Sequence, residues 1–289
     1  MPISGALPEW LLSVVAAATL FTVMFDIGLA IRPSGFRVVG QQLWLLPKAL
    51  FSVVVAVPAI AWLVARVVDL PRGAAIGLLL MAIAPGAPVA LRRSLDAGGH
   101  RFFAPALQFS VALLALVSMP LWIAAFNEYY AGQATVDPRQ LARQVFTAQL
   151  LPLALGVATR RFWCAGATWL EPRLHRLGSV LLVLLIVLAL IEVGPTVIGA
   201  GFRVAAAIVV VTALALAVGH GLGGPDPATR TATAISSAIR NGGLALLVAT
   251  LNNAAPAITA TILAYLVISA LTVAPYLIWR RRSAPAATP

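Results

Sequence analysis

The sequence predicts an all-α polytopic membrane protein of about nine transmembrane helices, arranged as an inverted-topology repeat with two broken helices. Of the 289 residues, 61% are hydrophobic and 10% are charged, and the mean hydropathy is +0.97. Apolar stretches of about 20 residues, the length that crosses a bilayer, follow one another along the chain. This composition excludes a soluble enzyme, a disordered regulator and a secreted disulfide scaffold. We expect one transmembrane domain over residues 1–282 and a disordered tail over 283–289.

Charged, glycine and proline clusters separate the predicted helices. Turn signals stand at Arg32-Pro33-Ser34-Gly35, at Gly98-Gly99 and at Gly223-Gly224-Pro225. No linker long enough to divide the chain into domains is present. The nine predicted helices cover residues 10–31, 41–66, 72–97, 101–126, 138–160, 175–193, 202–220, 227–251 and 255–280.

The net charge of +11 is explained by membrane topology rather than by a nucleic-acid partner. With nine helices, the loops on the side of the C-terminus contain thirteen arginines: Arg32, Arg37, Arg92, Arg93, Arg101, Arg160, Arg161, Arg173, Arg176, Arg230, Arg280, Arg281 and Arg282. The loops on the other side contain five: Arg66, Arg72, Arg139, Arg143 and Arg203. Because cytoplasmic loops collect basic residues, we expect a cytoplasmic C-terminus and an external N-terminus in the plasma (bacterial inner) membrane.

The third and eighth predicted helices are interrupted near their middles. Ala84-Pro85-Gly86-Ala87-Pro88 interrupts the third, and Asn241-Gly242-Gly243 interrupts the eighth. Such breaks free backbone groups that cannot face lipid, so they are tolerated where they are buried or line a cavity. Helices one to four and six to nine each have the broken helix third, and the second set starts in the opposite orientation. This order is typical of an inverted repeat with a transport site at the midplane, although two ordinary kinked helices would give the same pattern.

The eighth helix contains a polar stripe that includes a buried arginine. Thr233, Ser236, Ser237, Arg240 and Asn241 follow one another at helical spacing and therefore share one face. A guanidinium at the depth of Arg240 costs about 2.5–3.5 kcal/mol on insertion scales, so it must face protein, water or an anion. Arg240 is either an anion-binding or coupling residue or one half of a structural ion pair.

Asp26 is the only acid well inside a predicted helix, and it shares a polar face with Thr19 and Thr22. It could pair with Arg240, and it could also be a proton-coupling carboxylate. Arg92 and Arg93 follow the first break, where they either snorkel to the cytoplasmic interface or line an anion path.

Further polar residues on the fourth and ninth helices could face the same cavity or bond neighbouring helices. They are Gln108, Thr261, Tyr265, Ser269 and Thr272.

Several chemistries are missing from the sequence. It contains no phosphate-binding GxxxxGK[ST], no HExxH and no G-x-S-x-G, and its single cysteine is Cys164. We therefore expect neither an enzyme nor a metal or other cofactor.

Three segments resemble the bile acid:sodium symporter (BASS) superfamily of secondary transporters for organic anions. MFDIGLAIRPSGFRVV resembles the family's early "MFxxGL" stretch, IAPGAPVALRRSLDAGGH its "PGG.aSN" stretch, and RTATAISSAIRNGGLA its "E.G.QN" stretch. The resemblance implies an inverted repeat whose two broken helices cross at the binding site, with nine helices as in members that lack the extra first helix. We expect the substrate to be bound by Arg240, Asn241, Ser236, Ser237, Pro85, Gly86, Ala87, Pro88 and Gln108.

The chain departs from the family at the positions that bind sodium. Those positions here are occupied by Val53, Ala90, Leu91, Ala104, Gln108, Ser236 and Arg240. Sodium prefers oxygen ligands, so hydrocarbon and guanidinium groups at these places argue against the family's sodium sites. We expect a monomeric secondary transporter of a small organic anion that is independent of those sites. The alternatives are a sodium symporter with other ligands and a non-transporting membrane sensor or scaffold.

Overall fold

The computed structural model describes residues 9–30, 44–129, 138–199, 201–252 and 254–283. Every regular element in these ranges is helical. The predicted turn at Arg32–Gly35 and residues 284–289 of the predicted tail lie outside the described residues, whereas Ser283 ends the last helix. The helices are α1 (Glu9–Ala30), α2 (Leu45–Val67), α3 (Arg72–Ile83), α4 (Pro88–Asp96), α5 (Phe103–Tyr129), α6 (138–162), α7 (Cys164–Gly199), α8 (Gly201–Leu222), α9 (Pro227–Ala238), α10 (Gly242–Leu251) and α11 (Pro256–Ser283).

Five segments within the described residues are long and apolar enough to cross a membrane. They are Leu45–Val67, Phe103–Phe126, Gly201–Leu222, Pro227–Leu251 and Pro256–Ser283. Two shorter apolar helices cover Val14–Ala30 and Arg72–Ile83. The helical architecture and these apolar lengths are those of an integral membrane protein. The total of nine helices and the inverted repeat stay predictions.

The sixth predicted helix differs most from the structure. The sequence predicts residues 175–193, whereas α7 extends over Cys164–Gly199 and only Trp163 separates it from α6. Polar contacts support the added N-terminal turns: Arg173 stacks over the Trp169 ring at 3.8 Å, and Arg160 forms an ion pair with Glu171. The charged residues of this segment therefore stabilise a helix rather than mark a loop.

Two prolines and a glycine cause the break between α3 and α4. A residue that precedes proline avoids the helical region, and Ala84 and Ala87 both have non-helical dihedral angles. Gly86 has a φ of +78°, which favours glycine. Pro88 then opens α4, where its missing N–H removes no helical hydrogen bond.

The break between α9 and α10 is capped by an asparagine. Ile239 is extended, and the Asn241 side chain accepts a hydrogen bond from the Leu244 N–H at 3.1 Å. The two breaks meet, because the Asn241 N–H donates to the Ala84 carbonyl oxygen at 2.8 Å. The four half-helix ends therefore lie around one point, which we call the junction (residues 84–87 and 239–241).

Two π-helical segments lie near the junction. Ser52–Ala56 interrupts α2, and Phe146–Leu150 interrupts α6. Such segments shift the backbone hydrogen-bond register and are frequent at functional sites. The first segment provides the Val53 carbonyl, which accepts from Arg240 of the junction. The second provides the buried Gln149 side chain, which lies beside Gly86 of the junction.

Candidate functional site

The guanidinium of Arg240 is bound to backbone carbonyls. Arg240 is 2% exposed. Its Nη1 donates to the Val53 oxygen at 3.0 Å and to the Ser237 oxygen at 3.4 Å. Its Nε donates to the Met81 oxygen at 3.4 Å, and its Nη2 donates to the Ala82 oxygen. Four of its five N–H groups are thus directed at carbonyls from three different segments.

These carbonyls are available because helices end or change register there. The last four carbonyls of a helix lack the usual helical partner, which applies to Ala82 near the end of α3 and to Ser237 near the end of α9. The Met81 oxygen accepts from both the Ala84 N–H, at 3.1 Å, and Arg240. Helix C-termini also have partial negative charge, which favours a cation. Val53 lies in the π-helical segment of α2. The junction therefore solvates a buried cation with backbone oxygens.

The possible pair between Asp26 and Arg240 is not formed, which corrects that interpretation. Asp26 is buried and its Oδ2 forms an ion pair with Nη2 of Arg92, and Nδ1 of His175 lies 3.6 Å from the same oxygen. Arg92 also donates to the Ser179 hydroxyl at 3.2 Å. Arg92 therefore connects α4 to α1 through Asp26 and to α7 through Ser179, and its guanidinium does not simply extend to the cytoplasmic membrane interface.

A cavity of about 380 Å³ lies beside the junction. Its wall is formed by α1, the start of α4, residues 239–243 and α11, with Leu182 of α7. The volume is that of a small-molecule site. Most of the wall is apolar, and its polar and charged members are Thr19, Arg93, Arg240, Asn241 and Ser269. Arg93 is exposed and lines the cavity.

The rest of the predicted polar stripe packs between helices. The Ser237 hydroxyl lies 2.8 Å from the Ser52 hydroxyl of α2, and it also contacts the Thr233 carbonyl oxygen at 2.8 Å. Thr233 donates to the carbonyl of Thr229 at 3.0 Å. Ser236 is buried. Of the stripe, Arg240 and Asn241 line the cavity.

The first break lies against the second. The Asn241 amide nitrogen is 3.5 Å from the Gly86 oxygen, so Asn241 contacts this break through both its backbone and its side chain. Ala87 lines the cavity, and Pro85 and Gly86 are buried. Pro88 begins α4.

The positions at which the resemblance expects sodium ligands are buried. Val53, Ala90, Leu91 and Ala104 present hydrocarbon side chains, and Ser236 and Gln108 are polar. Two of the altered positions contact each other, since the Arg240 guanidinium donates to the Val53 carbonyl. A guanidinium therefore lies among oxygens that could otherwise face a metal cation.

Gln149 is a site residue that the sequence patterns do not mark. It is fully buried in the π-helical segment of α6, and its amide nitrogen and oxygen have no hydrogen-bond partner among the described residues. Its nitrogen lies 2.9 Å from the point where a Cβ on Gly86 would be. The signal in the sequence is an isolated amide in the apolar stretch before Leu150-Leu151-Pro152.

The comparisons with known proteins agree with the resemblance. The model of the sodium bile acid symporter family matches residues 17–200. A curated relative, the uncharacterized sodium-dependent transporter YocS of Bacillus subtilis (strain 168), is 25% identical over 164 residues. The alignment covers 56% of this chain and 50% of the relative, so the chain spans about half the length of that relative. Because the family model matches more than half of the sequence, the chain belongs to the sodium bile acid symporter family.

Proposed function

We propose that this protein is a secondary active transporter of a small organic anion that does not use the family's sodium sites. The observation that carries the proposal is the Arg240 guanidinium, buried at the junction and bound to four backbone carbonyls. A bound sodium ion would supply one positive charge among such oxygens. Arg240 supplies that charge permanently.

Electrostatics favours the guanidinium over an additional sodium ion. Two unit charges about 4 Å apart repel by about 4 kcal/mol at an effective dielectric constant of about 20. The carbonyls of Val53, Ala82 and Ser237 already accept from Arg240. A sodium ion at the same place would lose ligands and meet a like charge.

The cavity beside the junction suits an anion with an apolar body. Arg93 and Arg240 contribute positive charge to its lining, and the half-helices α4 and α10 both begin at the junction. Helix N-termini attract anions because their first N–H groups lack partners. The apolar remainder of the wall would contact the hydrocarbon part of the substrate.

The proposed molecule is a monomer with a single transmembrane domain of nine helices in the bacterial inner membrane. We infer an external N-terminus and a cytoplasmic C-terminus from the distribution of arginines. The meeting of the two breaks through Asn241 and Ala84 supports the inverted repeat, since the paired broken helices of such repeats frame the transport site.

Uptake into proteoliposomes tests the proposal. Labelled acetate, pyruvate, benzoate and cholate would be supplied to vesicles with the wild-type protein, with Arg240→Ala and with Arg161→Ala, an exposed control. We expect uptake of at least one carboxylate, which Arg161→Ala keeps and Arg240→Ala loses. No uptake above empty vesicles, or full uptake by Arg240→Ala, would contradict the proposal.

The second candidate is a sodium-coupled symporter with ligands other than the family's usual ones. The Bacillus subtilis relative, which is named as a sodium-dependent transporter, favours it. This candidate requires uptake to stop when choline replaces sodium. A proton-coupled mechanism through Asp26 would instead give uptake that follows a pH gradient and is lost in Asp26→Asn.

A further inference from the structure

The cavity beside the junction has positive charge in its wall that no carboxylate there balances. Arg93 and Arg240 line it, and no acidic side chain does so among the described residues. The acids that touch α4 or belong to it have other partners, since Asp26 pairs with Arg92 and Asp96 pairs with an arginine of α11. The potential inside the cavity is therefore positive and favours an anion.

The two arginines differ in the hydrogen-bonding capacity that they have left. Arg240 donates four of its five N–H groups to backbone carbonyls. The Arg93 guanidinium forms no ion pair and no hydrogen bond with any residue that the structure describes. A guanidinium with its N–H groups available can bind both oxygens of a carboxylate at once. Arg93 can therefore act as a ligand, whereas Arg240 contributes mainly its charge.

The α4 helix directs Arg93 and its neighbour Arg92 to different surroundings. Val89 and Arg93 are four residues apart, so they share one helix face, and both line the cavity. Arg92 instead reaches Asp26 of α1. At a rise of about 1.5 Å per residue, Arg93 lies about 7–8 Å along α4 from Pro88, the first residue of the helix. The cavity thus extends from the junction to a second, separate guanidinium.

The cavity has room for a ligand, and it can be reached. Its volume is about 380 Å³, and Arg93 is exposed. Gly243 also lines it, and outside the neighbouring backbone a Cβ added there would meet one described atom within 4 Å, the Asn241 Oδ1 at 3.6 Å. This is an ordinary van der Waals distance, so the wall is open at this point. Leu266 and Val273 of α11 give the cavity an apolar side.

We propose that Arg93 binds the carboxylate group of the transported anion and that the apolar side of the cavity binds its hydrocarbon part. The substrate class is then a monocarboxylate with an apolar body. A second carboxylate would find no other unpaired guanidinium in the wall among the described residues, because Arg240 is bound to carbonyls. Arg93 is therefore a specificity-determining residue. This inference rests on the proposed function.

Calorimetric titration in a non-ionic detergent tests the role of Arg93. The probes are benzoate, its neutral amide benzamide and the dicarboxylate terephthalate, and the variants are Arg93→Gln, Arg93→Lys and Arg161→Gln, an exposed control outside the cavity. We expect the wild type to bind benzoate more tightly than the other two probes. Arg93→Gln should weaken benzoate binding about 10-fold, equal to about 1.4 kcal/mol, and leave benzamide binding unchanged. Arg93→Lys should give a smaller loss, and Arg161→Gln none.

An arginine that pairs with lipid phosphates at the membrane interface gives a different result. Arg93→Gln would then bind benzoate as the wild type does and would retain less phosphatidylglycerol, which overturns the inference and leaves the proposed function intact. Terephthalate binding as tight as that of benzoate overturns the monocarboxylate class.

A variant that fills the cavity tests the location independently of charge. Ala270 is exposed and lines the cavity, so Ala270→Phe can place a ring there without crowding the core. We expect this variant to weaken the binding of benzoate and benzamide alike. Unchanged binding would place the ligand elsewhere and overturn the inference. Wild-type protein that binds no benzoate also overturns it, whereas the proposed function fails only if uptake of all four carboxylates is absent as well.

Discussion

Replacing Arg240 by glutamine should convert the junction into a sodium-binding site. Glutamine has one NH₂ group, so it can pair with at most two of the four carbonyls that the guanidinium contacts. The other two lose their partner, at about 1–3 kcal/mol each. In choline medium we therefore expect Arg240→Gln to be destabilised by about 2–6 kcal/mol, less the desolvation that the guanidinium no longer requires.

Sodium should recover part of this loss. The freed oxygens of Val53, Ala82 and Ser237, with the glutamine oxygen, form a set of hard ligands. At a sodium concentration about ten times the dissociation constant, binding stabilises the folded state by about 1.4 kcal/mol. The wild type should show no such gain, because its guanidinium already occupies these oxygens.

Thermal unfolding in detergent, followed by tryptophan fluorescence, measures the effect. The wild type, Arg240→Gln and Arg240→Lys would be heated in sodium, potassium and choline chloride at equal ionic strength. Arg240→Lys keeps a positive charge and should remain insensitive to sodium. A sodium-dependent rise in the melting temperature of the wild type, or none in Arg240→Gln, would refute the assignment of Arg240 as a replacement for the ion.

Three further predictions concern the surroundings of the site. A double-mutant cycle of Asp26→Asn and Arg92→Met should give a coupling free energy of about 1–3 kcal/mol in chemical or thermal unfolding, and additive effects would contradict the ion pair. Asn241→Ala removes the cap of α10 and should lower the free energy of unfolding by about 1 kcal/mol in the same unfolding experiments. An unchanged melting curve would contradict the role of this cap. Gly28→Ala places a Cβ 2.8 Å from the Gly156 Cα and should destabilise the packing of α1 on α6 by about 1–3 kcal/mol. Gly221→Ala is the control, because a Cβ on Gly221 meets open space. Equal melting temperatures of the two variants would disprove the close contact.

The helix breaks were accessible from the sequence because their causes are local. Pro85, Gly86 and Pro88 act on neighbouring backbone angles, and the Asn-Gly-Gly of the second break caps the helix that follows it. Apolar length likewise predicts the segments Leu45–Val67 and Pro256–Ser283 closely. Local chemistry is sufficient for these features.

The partners of the charged residues could not be predicted in this way. The depth of Arg240 in its helix indicates that it needs a partner, but the partners are carbonyls of residues 53, 81, 82 and 237, which only the folded chain brings together. Backbone oxygens are present at every residue, so no side-chain pattern marks them. The sequence suggests Arg240 as a partner for Asp26, but the packing of α4 on α1 brings Arg92 to this carboxylate instead.

Gln149 illustrates the same limit for a neutral residue. A single glutamine in the mostly apolar stretch 145–158 indicates a buried polar contact, but the sequence does not show which helix it faces. The π-helical segment Phe146–Leu150 shifts the side-chain register of α6, and a periodicity of 3.6 residues does not represent such a shift. The approach of Gln149 to Gly86 depends on that local change.

The most direct test of whether Arg240 replaces the sodium ion is the initial rate of carboxylate uptake by wild-type proteoliposomes. This rate would be measured in sodium and in choline media of equal ionic strength. Because the guanidinium provides its charge in every medium, we expect equal rates in the two salts for the wild type. Uptake that collapses when choline replaces sodium would show that a sodium ion binds elsewhere and that Arg240 does not take its place.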